Sequence, residues 1–257
     1  MALYVGRPRM TSMLAKLRGN DWRKRGKVFE HRDPPLVFDE LECDDSGEYR
    51  QYTLTDGTRF FSMTSMLGMT SDHTWLDEWR ERIGEEAADI ETRRCADRGE
   101  GVHFSCEMYA NNEPMDKVLE ASGDYQWLFK QLKPVLDKRV GCVWVQEIPL
   151  FSRKMRVAGR VDLIAMWLNE DGVWELAVID YKTSNWVKKK EDIGDYQCQL
   201  AGYAICFWEM FGIKINRLVN VIATEARMEP TIIEFTLDES MPKLAKKVKE
   251  FHKIIDA

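Results

Sequence analysis

The chain changes its hydrophobic rhythm near its middle. Trp75, Leu76, Trp79, Ile83, Ala87 and Ile90 recur every three or four positions, with Arg80, Arg82, Arg93 and Arg94 on the other faces. That spacing predicts one helix over 73–97, preceded by a short helix over 62–69 and followed by another through 98–108. Beyond residue 140 the period falls towards two. Runs over 143–150, 155–168 and 173–181 read as strands, with a turn at 169–172 between the last two. A long apolar helix over 192–212 follows, then strands over 217–224 and 231–237. A closing helix over 241–255 carries Leu244, Val248, Phe251 and Ile255 along one side. Ahead of the helices, 49–54 and 59–61 form a predicted hairpin around Asp56-Gly57, the dipeptide that supplies the positive φ of a tight turn. Helices, a strand meander, a helix and further strands predict an α/β (α+β) architecture: a central mixed β-sheet flanked by helices.

Composition adds boundaries. At 257 residues, one large domain is expected over 49–257, with a hairpin and helical part (49–140) and a sheet core with a C-terminal helix (141–257). Residues 1–48 read as a basic arm and linker, with loops around Asp33-Pro34-Pro35 and over the acidic 39–45 segment. No apolar run is long enough for a bilayer, and no segment has the form of a secretory signal. The six cysteines contain no CxxC pair and read as reduced thiols, neither a disulfide frame nor a zinc site. A net charge of −6 argues against a nucleic-acid binder, yet residues 1–32 hold nine Lys/Arg against Asp21 and Glu30. Local potential matters more than the total, so such an arm can follow a phosphate backbone; a solvated tail or a mitochondrial presequence are the other readings.

The chemistry gathers in the strand region. Gly159-Arg160-Val161-Asp162 ends one run, and Asp180-Tyr181-Lys182 ends the next. Alternation puts Trp174, Leu176, Val178, Asp180 and Lys182 on one face, and a hairpin would bring Asp162 beside Asp180. Buried unpaired charges cost several kcal/mol each, so a fold keeps such a group mainly where a metal ion neutralises it. A buried Asp–Lys ion pair is the plainer reading. Glu147 brings a third carboxylate from the strand before, and Gln199 and Tyr203 share a helix face four residues apart. His103 lies on a helix one turn before Glu107, where a satisfied structural histidine is the ordinary expectation. An oxygen-rich set with one imidazole suits Mg²⁺ or Mn²⁺, with Asp162 and Asp180 as central ligands and the Tyr181 carbonyl close by.

Taken in order, helix histidine, glutamate strand, G-x-x-D strand, D-x-K strand and Q-x-x-x-Y helix resemble the PD-(D/E)xK nuclease superfamily in its RecB-like branch. Phe61-Ser62-Met63-Thr64-Ser65-Met66-Leu67, Trp75-Leu76-Asp77-Glu78-Trp79-Arg80 and Arg98-Gly99-x-x-x-His103 are similar to the N-terminal helices of the mitochondrial genome maintenance exonuclease family and its phage and bacterial relatives. The resemblance covers roughly residues 49–215. It implies a restriction-endonuclease-like core with an N-terminal helical extension. It also implies a metal-dependent exonuclease acting at ends of DNA, single-stranded or frayed, in replication, recombination or repair. A duplex-end recombination exonuclease, a structure-specific endonuclease and a catalytically silent DNA-binding fold remain alternatives.

By the same resemblance His103 is a further metal ligand, Glu147 binds or orients a metal or its water, and Lys182 contacts the attacking water and the phosphate. Gln199 and Tyr203 position the Lys182 strand or the DNA backbone, with helix-to-sheet packing an equal reading for Tyr203. Arg98, Thr183, Ser184 and Lys188-Lys189-Lys190 are candidate substrate contacts, an ordinary solvated loop being the other reading of the lysine run. Trp75 and Trp79 share a helix face, which reads as core packing; the resemblance would place them along a passage for a single strand. No cysteine cluster follows Cys206, so no iron–sulfur cluster is expected. No membrane partner is expected, protein partners are undefined, and the cytoplasm of a bacterial or phage-infected cell is favoured over the mitochondrial matrix.

Overall fold

A mixed sheet of eight strands organises the chain, and one of its strands is shared in an unusual way. The structure, a computed structural model, describes residues 24–33 and 35–257. Most of the basic arm therefore lies outside the described residues. The strands are β1 (Glu42–Asp44), β2 (Gln51–Thr53), β3 (Arg59–Ser62), β4 (Val140–Ser152), β5 (Val157–Leu168), β6 (Trp174–Ser184), β7 (Arg217–Thr224) and β8 (Thr231–Thr236). The path runs β1-β2-β3-β5-β6-β7-β8, with β4 paired to β5 beside it.

Strand β4 takes one edge of β5 along its whole length, from Val140↔Trp167 to Ser152↔Val157. The other edge is divided. Leu163 to Leu168 pair antiparallel with β6, while Val157 and Ala158 pair parallel with β3. The sheet thus forks at Asp162, between the two partners.

Helices α1 (Met63–Met69), α6 (Gly194–Phe211) and α7 (Leu237–Ile255) cover one face. They bury Met63, Met66, Leu200, Phe207, Leu244 and Phe251 against Val161, Ile164 and Val178. Helices α3 (Glu85–Ala110) and α5 (Gln126–Arg139) cover the other, packing Val102, Cys106, Tyr109, Leu128, Phe129 and Leu132 on Leu163, Ala165, Ile179 and Val219. The middle of β6 and nearly all of β7 are therefore covered on both faces, as their continuous apolar runs require. Helices α2 (Thr74–Ile83) and α4 (Met115–Ala121) complete the set. Among the described residues no helix is long and apolar enough to cross a membrane, and the six cysteines are free thiols.

Several expectations change. The helix expected over 73–97 breaks at Gly84, whose φ of 88° and ψ of 148° suit essentially glycine alone. The second piece absorbs the expected 98–108 helix into a single helix, α3. The Trp75–Ile90 face is not core: no residue of α2 is buried, Trp75 is 66% exposed and Ile90 is exposed too. The acidic segment read as loop contains strand β1. Phe29, well inside the expected arm, is buried in the α3/α5 core. Its neighbours Glu30 and Arg32 hydrogen-bond both backbone groups of Val143, covering part of the free edge of β4.

Candidate active site

The fork in the sheet is where the polar groups meet. Once β6 leaves β5, the Tyr181 N–H has lost its ladder partner. The Asp162 side chain takes its place, Oδ2 accepting from Tyr181 N at 2.9 Å. His103 comes in from α3, its Nδ1 3.1 Å from the same Asp162 oxygen, and its ring meets Tyr181 edge-on at 6.1 Å. Burial disfavours the imidazolium, but the charge and hydrogen bond of Asp162 outweigh it and raise the His103 pKa above its ordinary value. Asp162 is pulled down in turn: His103, Lys182 and the Tyr181 N–H together overcome its desolvation.

Asp180 and Lys182 emerge on the α6 face of β6, as alternation requires. Asp180 is only 2% exposed. Lys182 Nζ donates to Asp180 Oδ1, and Asn220 Nδ2, across the parallel β6–β7 pair, donates to Oδ2 at 2.8 Å. Burial and the Asp162 charge push the Asp180 carboxyl up to about 6 despite Lys182. Lys182 loses hydration, yet the two aspartates hold its pKa above the usual lysine value, and its ammonium lies 5.3 Å from the centre of the Tyr196 ring.

Glu147 faces Asp162 across β4–β5, between the pairs Gln146↔Leu163 and Ile148↔Val161. Its φ of 49° is left-handed, a conformation costing a non-glycine residue about 1–2 kcal/mol. Arg160 donates to its backbone carbonyl. Burial, then the negative charges of Asp162 and Glu107, push the Glu147 carboxyl up to about 8. The strain sits just past a stretch where the β4–β5 register slips, between Val140 and Val145, and it falls on a desolvated acid, which makes Glu147 a candidate functional position.

The remaining expected residues stand one layer back. Gln199 and Tyr203 are buried on the sheet side of α6, Tyr196, Gln199 and Tyr203 forming an i, i+3, i+7 row. Thr183 Oγ1 accepts from Arg98 Nε at 3.1 Å, and Ser184 Oγ accepts from Trp186 N at 3.2 Å. Arg98, expected to face substrate, is 3% exposed; its guanidinium is engaged by Thr183, Asn185 and Glu225, the last at 2.7 Å. It braces the end of β6 from beneath. Lys190 is tied to Glu239 at 2.7 Å, which separates it from Lys188 and Lys189.

Asn220 and Tyr196 were missed from sequence. Asn220 is signalled by a lone amide inside the apolar run Leu218-Val219-Asn220-Val221-Ile222. Tyr196 is signalled by its place one turn before Gln199. Glu107, one turn beyond His103, is close enough to raise Glu147.

Among the described residues no three His, Cys, Asp or Glu side chains already converge as a metal cage. Protein donors hold the carboxylates instead: Lys182 and Asn220 on Asp180, His103 and the Tyr181 N–H on Asp162. The donor set still fits a hard divalent cation. Asp162 lies within electrostatic reach of both Asp180 and Glu147, whose pKa values burial raises, and the His103 imidazole adjoins all three. Such a site supports metal-assisted hydrolysis of a phosphate ester.

The family model of the PD-(D/E)XK nuclease superfamily matches residues 58–251. Several solved structures are similar, among them the following three. The structure of SSO0001 shares 18% identity over 60% of this chain and 72% of its own, with a TM-score of 0.29. An exonuclease candidate from Eubacterium rectale shares 16% over 58% and 66%, with a TM-score of 0.32. Rai1 of Scheffersomyces stipitis shares 12% over 66% and 50%, with a TM-score of 0.26. No curated protein matches the chain.

Proposed function

The chain belongs to the PD-(D/E)XK nuclease superfamily, and from that premise we propose that it is a metal-dependent deoxyribonuclease acting from DNA ends, in replication, recombination or repair. The observation that carries the reading is the fork itself, where Asp162, Asp180, Lys182 and His103 meet at the divergence of β5 and β6. Nucleases of this superfamily generally use divalent metal ions; Mg²⁺ or Mn²⁺ suits this donor set. Asp162, Asp180, the Tyr181 carbonyl and His103 would hold the ion, with Glu147 beside it. When bound, it supplies charge neutralisation at the scissile phosphate and a water of lowered pKa.

The chain's own groups have separable tasks. Lys182 contacts the phosphate and orients the attacking water through its ammonium, which the two aspartates keep fixed. Asp162 holds His103 and pins the strand end at Tyr181. Glu147, held in its strained conformation at the rim, orients water on the Asp162 side. Thr183 offers its hydroxyl to the DNA backbone from a position fixed by Arg98, so Arg98 acts on substrate through Thr183. Ser184 shapes the turn that follows. Gln199 and Tyr203 position the Lys182 strand.

The test uses end-labelled single-stranded, double-stranded and circular DNA with Mg²⁺, Mn²⁺ or chelator. The proposal expects cleavage of linear substrate that stops with chelator and in Asp180→Ala and Lys182→Ala. Unchanged cleavage in either variant would overturn the site assignment, and complete cutting of the circle would replace the end requirement with an endonuclease.

A further inference from the structure

The segment after Ser184 leaves the sheet as a loop fixed at both ends and bare in the middle. At its start, Asn185 is clamped by α3. Arg98 and Arg94 (3.3 Å) donate to its Oδ1, and its Nδ2 donates to Glu91 at 2.8 Å. The same arginines pair with Glu225 at the end of β7. At its far end Ile193 is buried, and Lys190 lies on Phe235 and pairs with Glu239. Between these anchors Trp186 is 74% exposed and Val187 is exposed beside it. A single exposed apolar side chain is ordinary on a surface. An indole on a loop this firmly tethered, four residues past the D-x-K lysine, is a different case: its backbone entropy is already spent.

Charge favours one occupant. The chain is net acidic, −6, and the fork holds three carboxylates, so a polyanion is repelled by most of what it meets. Residues 186–190 contain three lysines and no acid. Among the described residues Lys188 and Lys189 make no ion pair; the Lys189 backbone N–H donates to Asp192 Oδ2 and its carbonyl accepts from Asp192 N. Strand rise puts Trp186 no more than about 13 Å along the chain from Lys182. Aromatic stacking with flanking cations is how single strands are held without sequence preference.

We infer that Trp186 is the stacking platform for an unpaired base of the substrate next to the scissile phosphate, with Lys188 and Lys189 on the adjoining phosphates. This rests on the nuclease reading above and narrows its substrate to DNA that is single-stranded at the site. Arg94, Arg98, Glu91 and Glu225 are then positioning residues for the platform, acting through Asn185.

The experiment walks one abasic site along a labelled single-stranded oligonucleotide and measures kcat/KM with Mg²⁺ for wild type, Trp186→Ala and Trp186→Phe. On intact DNA, Trp186→Ala is expected to lose roughly 5- to 150-fold, the range of one removed base stack, and Trp186→Phe to stay within about threefold. One abasic position should lower wild type to the Trp186→Ala level and leave Trp186→Ala unchanged. Wild-type rates in Trp186→Ala, or losses that multiply at every abasic position, would overturn the stacking role. If wild type cuts nothing with either Mg²⁺ or Mn²⁺, the nuclease reading fails. Fluorescence anisotropy of the same oligonucleotides then decides the stacking role alone: equal binding by wild type and Trp186→Ala overturns it.

Discussion

The phenol of Tyr203 lies against the backbone of Gly159, so that a methyl group at Gly159 would sit 2.8 Å from the Tyr203 hydroxyl and 3.1 Å from its ring. The glycine of G-x-x-D and the tyrosine of Q-x-x-x-Y are one contact, and it sets how closely α6 lies on β5 three residues from Asp162. Gly159→Ala should destabilise the protein by about 1–3 kcal/mol, through overpacking. It should also cut cleavage, because β5 or α6 must move. Adding Tyr203→Phe removes the nearest atom and should restore part of both. Urea unfolding and initial cleavage rates check the pair; no recovery in the double variant would show that the crowding lies elsewhere.

Asn220 should matter more to activity than to stability. It is fully buried, donates to Asp180 Oδ2, and leaves its own Oδ1 without a partner. An orphaned buried carbonyl costs about 1–3 kcal/mol, so Asn220→Ala sheds a penalty while losing a hydrogen bond. Its melting temperature should change little. Loss of a group that orients a metal-binding carboxylate typically costs about 10–100-fold, and that drop is expected in kcat/KM.

Acid should loosen the clamp beneath the Trp186 loop. Arg94 hydrogen bonds, against some desolvation and with help from Asn185, lower the Glu91 carboxyl from 4.5 to about 2. A depressed carboxyl contributes stability that is fully present above pH 4.5 and is lost as pH falls through about 2. The side chain is 28% exposed, so screening leaves about 1–2 kcal/mol. Glu91→Gln should flatten the acid limb of the stability curve, followed by thermal unfolding between about pH 6 and 2.5.

Divalent ions should stabilise the folded chain without substrate. The crowded carboxylates of Asp162, Asp180 and Glu147 exist as a cluster only in the native state. Ligand at ten times its dissociation constant adds about 1.4 kcal/mol, a shift of a few degrees. Mg²⁺ should raise the melting temperature of wild type, chelator should reverse it, and Asp180→Ala should show no shift.

Much of this was legible in the chain. The strand triplet, the D-x-K face and helices α6 and α7 follow from period-two and period-3.6 patterns that burial enforces. What stayed hidden has physical causes. Helix α5 buries Lys130, Gln131, Lys133 and Arg139, so its apolar face reads as too polar to notice. The break at Gly84 is a backbone event inside an unbroken side-chain rhythm. The shared edge of β5 depends on a parallel pairing between residues nearly a hundred positions apart, which no local pattern encodes. The fork explains why Asp162, on a strand, can act like a cap.

Asp180 and Asn220 touch only after the chain has run 40 residues further, through α6 and back beside β6. Contacts that must wait for so long a closure form late, because the entropy of the intervening loop is lost before anything offsets it. A chain leaving the ribosome can complete the β4–β5–β6 meander well before β7 exists. Until β7 is laid down, Asp180 lacks one of its two holders, so the motif exists before its carboxylate is fixed. The proposed site is therefore completed when β7 joins β6, not when the D-x-K motif itself is made.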